Sequence, residues 1–117
     1  MQLKRVVVTG MGALTPIGNN LEAYWEGLRT GKSGSAPITY FDTEKFKTKF
    51  ACELKGYDPN DFFDRKEARK LDRFAQYALV SSDEAIADSG IDLNVVDKFR
   101  VGVVWGAGIG GLETFQN

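Results

Sequence analysis

The chain has 117 residues, of which 43% are hydrophobic and 26% charged, and a formal net charge of −1. This composition is typical of a globular protein. The near-neutral charge gives no general attraction to nucleic acid or to an anionic membrane, so we expect neither as a partner. The sequence has no histidine, which excludes the commonest general base and the commonest zinc ligand among these residues.

The cysteine content and the N-terminal residues indicate a cytoplasmic protein. Cys52 is the only cysteine, so no internal disulfide can form, which is usual in a reducing compartment. The N-terminal stretch, MQLKRVVVTG, has the composition of a core strand and lacks a secretory cleavage pattern.

The N-terminal residues predict a strand, a glycine-rich loop and a helix. Residues 5–9 form a β-branched run, which is typical of a strand covered on both faces. Apolar residues then recur at helical spacing over residues 21–28. Either Asn19 or Asn20 can cap this helix, and Gly31 predicts its end.

Residues 46–54 alternate between apolar and charged side chains, which predicts a half-exposed strand. Cys52 falls on the apolar side of this strand. We expect it to be a small buried hydrophobe rather than a reactive thiol, because no basic neighbour or helix N-terminus accompanies it.

The tetrapeptide DRKE at residues 64–67 predicts a helix start, with Asp64 as the cap. The apolar periodicity continues to about Ser89 and Gly90 stops it, which predicts one helix roughly 37 Å long at about 1.5 Å per residue. Cations near its start share one exposed face. This face is either a solvated surface with local acidic partners or a docking site for an anionic partner. Its members are Lys66, Arg69, Lys70 and Arg73.

Residues 99–105 predict a second buried strand, followed by the spacing GxGxxG at Gly106–Gly111. A dinucleotide site would also need a helix, another strand and an acidic residue about 20 positions further on. Only six residues follow Gly111 in this sequence, so the required context is missing. The turn is either a tight strand exit or a loop that borders a ligand cavity with Ile109 facing it.

Five blocks of the sequence carry a family resemblance, and they occur in the order RVVVTGMGALTPIGNN, FDTEKFKTKFACEL, RKEARKLDRFAQYAL, EAIADSG and RVGVVWGAGIGG. They resemble the N-terminal portion of the β-ketoacyl-acyl carrier protein synthases, and the glycine turn is more similar to the type II members than to type I. The resemblance covers almost the whole chain. It implies an α/β, thiolase-like layered fold with the order strand–helix–strand–long helix–strand. Residues 1–117 would be the N-terminal part of the first half of one ketosynthase domain, with no separate second domain.

The resemblance also implies the activity, which is decarboxylative Claisen condensation of malonyl-acyl carrier protein with acyl-acyl carrier protein in fatty-acid biosynthesis. The partners would be acyl carrier protein and malonyl and acyl thioesters, with a homodimer for the full-length protein and no cofactor or metal. The family catalyses this reaction with one cysteine and two histidines outside these residues, so the segment alone is predicted to be inactive. The alternatives are a polyketide-type ketosynthase segment or a dinucleotide-binding module.

The resemblance assigns roles to two groups of residues. Lys66, Arg69 and Lys70 match the basic positions of the family that receive the acidic carrier protein. Ile109 matches the residue at the mouth of the acyl pocket, and Gly108 beside it belongs to the same substrate pocket.

Overall fold

The computed structural model describes residues 3–116. The α-helices of this range are α1 Leu21–Arg29, α2 Arg65–Ala68, α3 Arg73–Ser89 and α4 Leu112–Gln116. Two short strands, β1 Ala36–Pro37 and β2 Phe50–Ala51, pair antiparallel, and 3₁₀ turns lie at Pro59–Asp61 and Lys98–Arg100. No helix in residues 3–116 is both long and apolar enough to cross a membrane.

The chain divides into two compact units. Residues 13–58 form the first unit, and the residues on either side of that range together form the second. The first unit contains α1 and the β1–β2 ribbon, and the second contains α2, α3 and α4. That the whole chain belongs to one domain remains a prediction.

Helix α1 begins and ends through local hydrogen bonds. The Oδ1 atom of Asn20 accepts a hydrogen bond from the N–H of Ala23 at 2.8 Å, so Asn20 is the cap. Asn19 instead donates its side-chain amide to the carbonyl oxygen of Lys55 at 2.8 Å. Gly31 has a φ of +68° and ends the helix, as predicted.

The strand predicted over residues 46–54 is formed only at β2. Cys52 is exposed, so the prediction of a buried thiol was wrong. The reason is that alternation identifies an apolar side of a strand but does not supply a layer to cover it. Phe46 and Phe50, on the predicted apolar side, are also exposed.

In the second unit, the N-terminal segment lies against α3. The N–H of Met11 donates to Oδ2 of Asp88 at 2.9 Å. A Cβ atom on Gly12 would lie 2.0 Å from the carbonyl oxygen of Ser81, so only glycine allows the backbone to approach the helix this closely. The buried apolar side chains of the described residues are small and lie on α2 and α3: Ala68, Ala78 and Val80.

The prediction of a single long helix from Asp64 to Ser89 was wrong, because the helix is interrupted between α2 and α3. Asp72 has an extended conformation (φ −61°, ψ 153°) and is the N-cap of α3. Continuous apolar periodicity concealed this second helix start. The predicted end is confirmed, since Gly90 adopts a φ of +64° immediately after Ser89.

The strands predicted at residues 5–9 and 99–105 are not formed as paired strands within residues 3–116. Val6 is 88% exposed and Val104 is 99% exposed. A strand is stabilised by hydrogen bonds to a neighbouring strand, and none of the described residues supplies that neighbour for either run. The composition of the two runs therefore identifies apolar, extended segments without identifying their partners.

Candidate functional site

The first feature of the site is a cationic surface, defined by Lys66, Arg69 and Lys70. It is presented by the short helix α2 and the residues that follow it. Asp64 caps this helix, because its Oδ1 atom accepts hydrogen bonds from the N–H groups of Lys66 and Glu67 at 2.8 and 2.9 Å. The predicted cap is therefore confirmed, and it fixes the start of the helix that carries the cations.

The side chains of the cationic surface are exposed to solvent. Within residues 3–116, none of the three makes an ion pair. Arg73 differs, since its Nε atom lies 3.3 Å from Oε2 of Glu113. Arg73 therefore does not belong with the other three cations, although the sequence pattern predicted one face for all four. The three cations of the cationic surface are available to an anionic partner.

The second feature is a cleft of about 420 Å³ beside the N-terminus of α3. The glycine turn, defined as residues 106–111, forms part of one wall. The cleft has a mixed lining, with apolar side chains next to carboxylates, an amide and a hydroxyl. The lining includes Asp72, Phe74, Gln76, Ile109, Glu113 and Thr114.

The glycine turn lies directly against the start of α3. A Cβ atom on Gly110 would lie 2.7 Å from the ring of Phe74. Gly111 has a φ of +72°, and a Cβ atom there would lie 2.8 Å from Oδ2 of Asp72. The backbone conformation requires glycine at Gly111, and a side chain at either position would have to displace Phe74 or Asp72.

The two predicted pocket residues lie in different surroundings. Ile109 lines the cleft and is 78% exposed. Gly108 is not part of the cleft lining, and a Cβ atom built on it would have no neighbour within 4 Å. The structure therefore brings Ile109 together with the α3 N-terminus and leaves Gly108 outside this group.

Sequence reasoning missed the residues that hold the glycine turn. Thr114 donates its hydroxyl hydrogen to Oδ1 of Asp72, and Glu113 pairs with Arg73. One available signal was the preference of aspartate for N-cap positions, which identifies Asp72 as a helix start. No sequence pattern indicated that α4 would lie beside it.

The described residues contain no machinery for nucleophilic catalysis of the Cys–His type, since the sequence has no histidine. No group of three or more acidic, cysteine or histidine side chains in residues 3–116 is arranged to hold a metal ion. The arrangement can bind an anionic surface and border an apolar ligand, and it can do both within the second unit.

Comparison with known proteins identifies the family. Residues 3–117 match the family described as "Beta-ketoacyl synthase, N-terminal domain". The chain belongs to this family. The resemblance inferred from the sequence blocks is therefore confirmed.

The similar curated proteins are condensing enzymes of one named type. The chain is 50% identical over 115 residues to 3-oxoacyl-[acyl-carrier-protein] synthase 2 of Staphylococcus aureus strain COL, which covers 98% of this chain and 28% of that protein. The protein of the same name from Synechocystis sp. is 45% identical over 117 residues, covering 100% of this chain and 28% of that protein. The chain thus spans about 28% of the length of these relatives.

Similar solved structures are ketosynthases. The ishigamide ketosynthase/chain length factor matches with a TM-score of 0.68 and 38% identity, over 75% of this chain and 22% of that chain. A type II PKS acyl-carrier protein in complex with its ketosynthase matches with a TM-score of 0.61 and 27% identity, over 82% of this chain and 25% of that chain. The predicted fold class, an α/β thiolase-like ketosynthase segment, is confirmed.

Proposed function

We propose that this β-ketoacyl synthase chain acts as part of a condensing enzyme of fatty-acid biosynthesis, which elongates acyl-acyl carrier protein with malonyl-acyl carrier protein. The observation that carries the proposal is 45–50% identity, over nearly the whole chain, to relatives named 3-oxoacyl-[acyl-carrier-protein] synthase 2. The exposed, unpaired cations of the cationic surface and the cleft that Ile109 lines support the proposal.

The proposed reaction depends both on residues of this chain and on residues outside it. In the family's reaction, an acyl group moves to an active-site cysteine, and the malonyl thioester then loses CO₂ and attacks the acyl thioester. Covalent catalysis of this kind needs an activated nucleophile and donors that stabilise the developing negative charge. Because this sequence has no histidine and its one cysteine lies outside the family's nucleophile motif, we assign it carrier binding and part of the acyl pocket.

The cationic surface is the proposed docking site for the acidic carrier protein. Its three side chains are exposed and have no ion-pair partner among residues 3–116, so docking would not require an existing pair to break. Exposed pairs contribute only about 0–1 kcal/mol each. We therefore expect these cations to act mainly on the rate of encounter and on its dependence on salt.

Ile109 is the proposed residue at the mouth of the acyl pocket, with Gly108 adjoining it. The position of Ile109 in the cleft lining supports this role, and its exposure leaves the branched side chain free to contact a bound acyl chain. Gly108 lies outside the lining, so its contribution would be to the backbone path of the turn rather than to the wall.

A polyketide-type ketosynthase is the second candidate, because both of these similar solved structures contain ketosynthases, and one is a type II PKS complex. Their identities of 38% and 27% are below the 45–50% of the 3-oxoacyl-[acyl-carrier-protein] synthase 2 relatives. We therefore place fatty-acid elongation first. The two functions differ in their products. Fatty-acid elongation is a single round of extension of a fully saturated acyl chain, whereas a polyketide-type ketosynthase extends the chain repeatedly without reduction.

We also propose that the full-length enzyme is a cytoplasmic homodimer. Large apolar side chains in residues 101–105 and at Phe115 are exposed in the described part of the chain, which leaves surface for contact with further protein. Sedimentation of the full-length polypeptide would test this, and a monomer at all accessible concentrations would contradict it.

The deciding experiment uses the full-length polypeptide that contains this sequence. Incubated with malonyl- and saturated acyl-acyl carrier protein, it should release CO₂ and form 3-oxoacyl-acyl carrier protein, measured by mass spectrometry of the carrier. A matched reaction with residues 1–117 alone should form none. Absence of product from the full-length polypeptide would contradict the proposed reaction, and product from residues 1–117 would contradict the assignment of catalysis to other residues.

A further inference from the structure

We propose that Asp72 is a positioning residue that sets acyl-chain preference by holding, through Thr114, the glycine turn that carries Ile109. This inference rests on the proposed function of Ile109 at the acyl pocket. It adds a residue that does not itself contact the acyl chain, and a mechanism by which α3 controls the pocket wall.

The first observation is the direction of the Asp72 carboxylate. Asp72 is the N-cap of α3, a position where aspartate usually accepts a hydrogen bond from the first helical N–H groups. Here its side chain makes no such bond. Its Oδ1 atom instead accepts the hydroxyl hydrogen of Thr114, a residue 42 positions further along the chain. The carboxylate thus joins two segments rather than capping its own helix.

A second contact, between the neighbouring residues, also joins α3 to α4. Arg73 follows Asp72 in the chain and pairs with Glu113, which precedes Thr114, at 3.3 Å. Two consecutive residues of the α3 start therefore bind two consecutive residues of α4. Such a two-point contact restricts rotation of α4 as well as its distance from α3.

The position of α4 fixes the backbone of the glycine turn. The N–H of Phe115 donates to the carbonyl oxygen of Gly111 at 3.0 Å, so the end of the turn is the first acceptor of this helix. On the other side of the turn, Gly110 lies against the ring of Phe74. Movement of α4 away from Asp72 would consequently move the backbone that bears Ile109.

The side chain of Ile109 provides no comparable anchor. It is 78% exposed, so its placement at the cleft follows from the backbone on which it stands and not from burial of its own side chain. Because chain-length discrimination depends on where the pocket wall lies, loss of the Asp72–Thr114 hydrogen bond should change which acyl chains fit. Docking at the cationic surface should be unaffected.

The test compares Thr114→Val with Thr114→Ser in the full-length polypeptide. Valine has the shape of threonine without the hydroxyl, and serine retains the hydroxyl. For Thr114→Val we expect the ratio of kcat/KM for a long over a short saturated acyl chain to change about tenfold, the effect of losing one charge-assisted hydrogen bond. Thr114→Ser should keep the wild-type ratio, and KM for malonyl-acyl carrier protein should stay constant in both.

A second readout reports the turn directly. Hydrogen exchange of amides in residues 109–112 should be faster in Thr114→Val than in Thr114→Ser. If Thr114→Val does not fold, Asp72→Ser replaces it, because serine is well tolerated at an N-cap position but is too short to reach Thr114. An unchanged chain-length ratio with unchanged exchange overturns the proposal.

Ile109→Phe separates this inference from the proposed function. If Ile109→Phe alters chain preference and Thr114→Val does not, the positioning role of Asp72 is wrong and the pocket assignment stands. If Ile109→Phe also leaves chain preference unchanged, the pocket assignment is wrong. Faster exchange with an unchanged chain-length ratio shows that Asp72 holds the turn without controlling specificity, and so overturns the proposal as stated.

Discussion

The side-chain amide of Gln76 donates a hydrogen bond to the carbonyl oxygen of Ala68 at 2.9 Å, across the break between α2 and α3. The same amide donates to the carbonyl oxygen of Leu71 at 3.1 Å. Gln76 is only 6% exposed and Ala68 is 9% exposed, so the hydrogen bond between them has little access to water. One buried amide therefore replaces the backbone donors that a continuous helix would have provided, and it holds the α2 segment in place beside α3.

Replacing Gln76 with leucine should destabilise the protein by about 1–3 kcal/mol, because the variant leaves buried carbonyl oxygens without their donor. The measurement is the free energy of unfolding in urea for the full-length polypeptide. Gln116→Leu is the matched control, since Gln116 is exposed and should change stability by less than about 0.5 kcal/mol. Equal effects of the two substitutions would show that the amide does not stabilise the break.

Reversing the charges of the cationic surface should weaken productive encounter with the carrier protein. In Lys66→Glu/Arg69→Glu we expect KM for acyl-acyl carrier protein to rise about fivefold at low salt, with kcat little changed. The increase should shrink as salt is added, because the charges are screened. Lys47→Glu, an exposed cation of the first unit, is the control. Unchanged kinetics at low salt would remove the cationic surface from the docking site.

Enlarging the side chain at Ile109 should shorten the acyl chains that are accepted. In Ile109→Phe we expect kcat/KM for long acyl chains to fall about tenfold relative to short ones, because the larger ring narrows the cleft. Ile109→Leu, which keeps the volume, is the control and should retain the wild-type preference. The measurement is competition between acyl-acyl carrier proteins of different chain length.

Adding a methyl group at Gly12 should displace the N-terminal segment from α3. The new Cβ atom would lie 2.0 Å from the carbonyl oxygen of Ser81, a helix backbone atom that cannot move aside alone. We expect Gly12→Ala to cost about 3 kcal/mol in unfolding free energy. Gly102→Ala is the control, since its Cβ atom would meet nothing within 4 Å, and wild-type stability of Gly12→Ala would contradict the observed packing.

The contact of Thr39 and Tyr40 with the segment that follows β2 should depend on pH through Glu53. Its carboxylate accepts hydrogen bonds from the hydroxyl and N–H of Thr39 and from the N–H of Tyr40. The Thr39 hydroxyl is the main cause that lowers the pKa of Glu53 from its ordinary 4.5 in the folded state, so the ionised form is stabilising. This stabilisation is present above pH 4.5 and is lost as pH falls through the lowered pKa.

Glu53→Gln should therefore flatten the acid side of the stability profile. The unfolding free energy of the wild type should fall below pH 4.5 more steeply than that of the variant. Thr39→Val removes the largest cause of the pKa shift and should reduce the same slope. Parallel profiles for all three proteins would show that this carboxylate does not contribute.

Features that depend on a few neighbouring residues were predictable from the sequence. Local hydrogen bonding explains why Asp64 is a helix cap. Backbone conformation explains why helices end at Gly31 and Gly90. The break at Asp72 was missed because apolar residues recur at helical spacing on both sides of it. The donor that stabilises the break, Gln76, lies beyond the break and has no distinctive motif.

Features that depend on distant partners were less predictable. Residues 5–9 and 99–105 have strand composition, but a strand also needs a neighbour, which no local pattern reveals. The same limit applies to Cys52, whose burial depends on a covering layer. For the candidate site, the family resemblance predicted roles for the cations and Ile109, whereas the contact between Asp72 and Thr114 could be found only from the arrangement of α3 and α4.

The hydrogen bond between Met11 and Asp88 joins residues that are 77 positions apart. During translation, Met11 leaves the ribosome first and cannot form this bond until most of α3 has been made. At about 5–20 residues per second, this delay lasts on the order of several seconds. The N-terminal segment therefore reaches its final position on α3 only after Asp88 has been made.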